Sequence, residues 1–120
     1  GLKLGYPTLY YQFLYNVIES GYGDIIIPFP QTSLIASRYF RDKNIRPDLV
    51  YIDASHDFAD VQSDIYAYTN ICNIVFGDDY RTWDSVKDAV NSSYNIILKS
   101  LGWRLEVVGN HWILRKWLKM

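Results

Sequence analysis

Two short apolar runs, "DLVYID" (48–53) and "NIVFGDD" (73–79), each surface on aspartate and each lead into a segment of helical spacing. After the first, Phe58, Val61, Ile65 and Tyr68 recur on one side of a helix. After the second, a helix beginning near Thr82 or Asp84 turns Val86, Val90, Tyr94, Ile97, Leu98 and Leu101 inward, and Gly102 stands just beyond its end. Strands joined through helices cannot pair as hairpins. The alternation therefore implies parallel pairing, because a helical crossover returns the chain to the same end of the sheet.

The flanking segments extend this pattern. Pro7 opens a helix whose Tyr10, Phe13, Leu14, Val17 and Ile18 form an apolar face up to Gly21. "DIIIPFP" (24–30) reads as a short β-branched strand closed by Pro28 and Pro30, and Thr32 or Ser33 caps a helix running to about Asp42. In the tail, "WRLEVVG" and "HWILRKW" meet at Gly109-Asn110, too close for a helix between them, and predict an antiparallel hairpin at the sheet's end. The expected architecture is one α/β domain over residues 1–120, three-layered, with a mostly parallel sheet and a C-terminal antiparallel hairpin. At 49% hydrophobic, 120 residues suffice for one core.

Composition removes several function classes. The net charge is −1 and the 12 basic residues are scattered, so the footprint of a nucleic-acid binder is missing. The longest charge-free stretch, Leu4 to Ile18, is amphipathic and shorter than the roughly 20 residues that span a bilayer. No secretory leader is visible, and the single cysteine, Cys72, sits in an apolar run as a small hydrophobe. These features predict a cytoplasmic protein with no membrane or nucleic-acid partner. The initial Gly1 reads as a tag remnant, a processed product or the start of a fragment.

In open α/β sheets, ligands bind outside the carboxyl ends of the strands. If the two aspartate-terminated strands are neighbours, Asp53, Asp78 and Asp79 converge there with His56, three residues beyond Asp53. Taken singly, each aspartate reads as a helix cap or flank. As a set they form an oxygen-rich cluster suited to a hard divalent cation such as Mg²⁺. Tyr80, Arg81 and Trp83 follow directly and are candidates for shaping a substrate pocket, while His111 reads as a turn residue. Gly21-Tyr22-Gly23 precedes a strand-like run instead of following one, so it reads as a helix stop, not a cofactor loop.

"RPDLVYIDASHDFADVQSDI" followed by "IVFGDDYRTWDSVKDAV" resembles the second half of an S-adenosylmethionine-dependent methyltransferase with the Rossmann-like fold, in the group related to sugar and macrolide O-methyltransferases. "GYPTLYYQFLYNVI" resembles the segment before it, so the resemblance covers most of residues 5 to 115. Its most specific part is an I-D-x-x-H strand end paired with a D-D-Y strand end about 25 residues later. The resemblance implies Mg²⁺ on Asp53, Asp78 and Asp79, His56 as base, and S-adenosylmethionine near Thr32, Ser33 and Asp53. It implies a sugar or small-molecule hydroxyl as acceptor. The family's first strands, including its glycine-rich cofactor turn, have no counterpart in these residues, and Asn70-Ile71-Cys72-Asn73 replaces the usual Gly-Gly turn. The chain thus looks like a carboxyl-terminal half, inactive alone.

Two further classes compete with metal-assisted methyl transfer. A Mg²⁺-dependent phosphohydrolase or receiver-like domain also uses strand-end carboxylates, but no Lys or Thr is placed at another strand end to hold a phosphate. A catalytically inactive oligomerisation module needs none of this chemistry. The continuous run Leu49-Val50-Tyr51-Ile52 reads as a strand buried on both faces, and without its first-strand neighbour it predicts a homodimer through that edge.

Overall fold

The computed structural model describes residues 2–3 and 6–117. Where the sequence reads as one domain, the chain divides into two compact units, Gly1–Gln31 and Thr32–Met120. In the first, β1 (Leu2–Lys3) pairs antiparallel with β2 (Tyr6–Pro7), and α1 (Thr8–Glu19) follows. Val17 on α1 is buried, but Phe13 and Ile18, expected in the core, are exposed. "DIIIPFP" is not a strand. Its start is turn, with the amides of Ile25 and Ile26 both donating to the Tyr22 carbonyl, and Ile25 and Ile27 are exposed. Pro28 and Pro30 carry no N–H, and a β-branched composition cannot make a strand without a ladder partner.

The second unit holds α2 (Ser33–Asp42), β3 (Val50–Ile52), α3 (Phe58–Thr69), β4 (Ile74–Gly77), α4 (Asp84–Ser93), β5 (Trp103–Val108) and β6 (His111–Lys116). Thr32 caps α2 by accepting the Ile35 amide at 3.3 Å. The helix of α4 continues as a π turn over Tyr94–Leu98 and a 3-10 turn over Lys99–Leu101. Gly102 ends it in the left-handed region, φ 93°, which a residue with a Cβ adopts only with strain.

The sheet order is β3-β4-β6-β5. β3 and β4 are parallel, with Ile52 opposite Gly77, while β6 runs antiparallel to both β4 and β5. The sheet is therefore mixed, not mostly parallel. Gly109, φ 61°, occupies the first turn position between Val108 and His111, so β6 must fold back on β5. The antiparallel hairpin stands at one end of the sheet as expected, with β5 at the edge and its second strand, β6, between β5 and β4. Trp112 and Leu114, on β6, are almost wholly buried there.

One face of the sheet makes the core. Val75, Trp112 and Leu114 pack with Val61 and Ile65 of α3 and with Val86, Ala89 and Val90 of α4, and Val50 and Ile52 join them half-buried. On the other face Tyr51 stacks on Phe76 at 4.7 Å and remains 47% exposed. The expectation of a strand buried on both faces fails for β3. Among the described residues it is a sheet edge, with one side of its backbone unpaired. No helix among them is long and apolar enough to cross a membrane.

Candidate functional site

The parallel register of β3 and β4 sets the site. Ile52 faces Gly77, so the chain leaves both strands side by side, into Asp53 on one and Asp78-Asp79 on the other. Asp53, Asp78, Asp79 and His56 line a single crevice at this carboxyl edge. The Tyr51 hydroxyl registers all three carboxylates. Desolvation and then the negative charges of Asp53, Asp78 and Asp79 push its pKa above the ordinary 10.0.

His56 is held from three directions. Its Nε2 lies 2.9 Å from Asp79 Oδ2, its ring stacks on Trp83 with centroids 4.6 Å apart, and its carbonyl accepts the Ser85 hydroxyl. Asp79 adopts φ 67°, in the left-handed region that Asp tolerates better than most residues with a Cβ. The hairpin turn holds the loop in this conformation. The Asn110 carbonyl accepts the Tyr80 amide at 3.0 Å, its Oδ1 accepts the Arg81 amide at 2.6 Å, and its Nδ2 donates to Thr82 at 2.8 Å. Arg81 Nε donates to the Gly109 carbonyl at 2.7 Å.

The residues expected to shape a pocket divide accordingly. Tyr80 is buried and donates to Asn91 Oδ1 at 2.8 Å, so it belongs to the core instead of a substrate surface. Arg81 is an anchor to the hairpin. Trp83 stays in the site as the wall behind His56. Thr32 acts as a helix cap, while Ser33 and Asp53 line one open groove of about 540 Å³ along β3, with Phe40, Tyr51 and Tyr68. His111 comes to the same sheet edge, its Nε2 3.8 Å from Asp78 Oδ1.

Whether these groups fit Mg²⁺ depends on the donor set. Among the described residues, no three His, Cys, Asp or Glu side chains are arranged to hold a metal ion. Asp79 Oδ2 is engaged by His56, and the same crevice is walled by Trp112, whose indole nitrogen offers only a proton. The arrangement does not fit the cation expected from the sequence.

Two contributors escaped the sequence reading. Trp112 lies under the crevice, and Gly77 makes room for it: a Cβ at Gly77 would stand 2.6 Å from Trp112 Cε2 and 2.7 Å from the Ile52 carbonyl oxygen. The glycine ahead of an aspartate pair was the available signal, since a glycine inside a strand marks close approach by another group. Asn110 was legible only as a turn residue. Comparison with known proteins finds no matching family model, no matching curated protein and no matching solved structure.

Proposed function

We propose that this chain has a methyltransferase-like, Rossmann-like layout and serves the methylation of a hydroxyl of a sugar or other small molecule. His56 is the base. The observation that carries this reading is the 2.9 Å contact between His56 Nε2 and Asp79 at the carboxyl ends of two parallel strands. With Nε2–H donating to Asp79, the lone pair sits on Nδ1, and the carboxylate stabilises the imidazolium formed when that nitrogen takes the hydroxyl proton. Stacking on Trp83 fixes the ring plane.

S-adenosylmethionine, when bound, supplies an electrophilic methyl group, and Ser33 and Asp53 in the groove along β3 are the residues that would hold it. The open edge of β3 supports the layout, since a further strand beside it would extend the parallel sheet, and it supports a homodimer as the way the isolated chain covers that edge.

Titration calorimetry tests the class. Heat on adding S-adenosylmethionine supports the proposal, heat with Mg²⁺ alone points to phosphoryl chemistry, and silence with both leaves an oligomerisation module. Where methyl transfer from labelled cofactor to a panel of polyols is measurable, H56Q should lower it by roughly 10²–10⁴-fold, the usual worth of a general base. Undiminished turnover in H56Q refutes the assignment.

A further inference from the structure

Trp112 is 1% exposed, and its indole Nε1 is buried with no hydrogen-bond partner among the described residues. Buried donors are ordinarily satisfied, so an orphan beside a crevice calls for an acceptor. The place of this donor is defined. Cε2, the ring carbon bonded to Nε1, lies over Gly77, the last residue before Asp78 and Asp79, and Trp112 lines the crevice with Asp53, His56 and both of those aspartates. Val61 and Val86, from the first turns of α3 and α4, complete the wall.

Size and charge select the ligand. The crevice leaves about 10 Å³, room for one water oxygen. An N–H donor repels a cation, and the carboxylates repel an anion. A neutral hydroxyl satisfies both sides, since its oxygen accepts from the indole while its proton goes to a carboxylate or to His56.

We infer that the crevice floor is a binding position for one hydroxyl oxygen, that of a bound water or of a substrate alcohol that replaces it, with Trp112 Nε1–H as the donor that holds it. Water occupancy stands independently of the catalytic proposal; identification of the replacing group as a sugar hydroxyl rests on that reading. Trp112 is then a substrate-binding residue that orients the oxygen whose proton His56 removes.

The test is rotating-frame NMR on the ¹⁵N-labelled full chain, in which dipolar contact and chemical exchange give signals of opposite sign. The Trp112 indole resonance, assigned through-bond and by its loss in W112F, should show a dipolar cross-peak to water. Methyl glucoside should shift that resonance and remove the water cross-peak in the wild type. A water cross-peak that the glucoside leaves untouched upholds the oxygen position and counts against the sugar-hydroxyl reading alone. Cross-peaks only to protein protons, with none to water, overturn the inference.

Discussion

Replacing Gly77 by alanine drives a methyl group against two obstacles that cannot give way. The new carbon stands 2.6 Å from Trp112 Cε2 and closer still to Cζ2, and 2.7 Å from the backbone oxygen of Ile52 on the neighbouring strand. Trp112 is wedged in the core with 1% of its surface exposed, and the Ile52 carbonyl belongs to the parallel register that aligns the site. Overpacking of a core costs about 1–3 kcal/mol where side chains can adjust. Here one obstacle is a locked ring and the other is main chain, so G77A should lose about 3 kcal/mol, the top of that range. At roughly 4 °C per kcal/mol for a chain of this size, the melting temperature falls by roughly 12 °C. G102A is the comparator, because Gly102 has φ 93° and nothing within 4 Å of an added Cβ, leaving only backbone strain of about 1–2 kcal/mol. Urea unfolding of both variants at unchanged m-value measures the difference. Removing part of the indole should relieve the clash, so G77A/W112L should be more stable than the two single losses added together, by about 1–2 kcal/mol. A G77A loss no larger than that of G102A, or strict additivity with W112L, refutes the packing argument.

N110A deletes the acceptor for the Arg81 amide and the donor to Thr82, so urea unfolding should show a loss of roughly 1–3 kcal/mol, with the Asp79 loop exchanging its amides faster. Burial raises the Asp64 carboxyl above its ordinary 3.8, against the lowering effect of its hydrogen bond from Ser33 and with a further push from the Asp60 charge. The folded chain thus holds this proton more tightly than the unfolded one, and stability is lost as pH rises from 3.8 through the folded value. D64N should therefore be the more stable protein at pH 7, with the gap closing as pH falls to 3.8; a gap independent of pH would discount the carboxyl. Light scattering should find a dimer of the wild type and a monomer of L49K, whose charge borders the open β3 edge; a monomeric wild type removes the edge as an interface.

What was legible in the residues was local. Thr32 before an apolar periodic segment announces α2, the spacing of Val61 and Ile65 announces the buried side of α3, and Gly109-Asn110 between two alternating runs announces the hairpin. Each signal involves neighbours in sequence, whose geometry follows from backbone and rotamer preference. "DIIIPFP" misled because strand composition expresses fitness for a pleated surface, and no strand forms where no ladder partner is offered. Tyr80 misled because adjacency to the aspartates says nothing about which way a side chain turns. Its ring went to the core and its hydroxyl to Asn91, leaving Trp83 to meet His56.

The sequence alone determined that two aspartate-terminated strands alternate with helices, and hence that Asp53, His56, Asp78 and Asp79 stand at strand ends where loops face solvent. It could not determine what closes the site around them. Insertion of β6 beside β4 is a choice among long-range pairings, made by burying Trp112 and Leu114 in the same core as Val75. That choice reverses one strand, brings Asn110 against the Asp79 loop and sets Trp112 in the wall of the crevice that Asp53, Asp78 and Asp79 line. These contacts join residues about 30 positions apart, and only their packing specifies them. Periodicity records which side of an element is apolar, whereas the identity of the partner depends on shapes such as the gap left by Gly77.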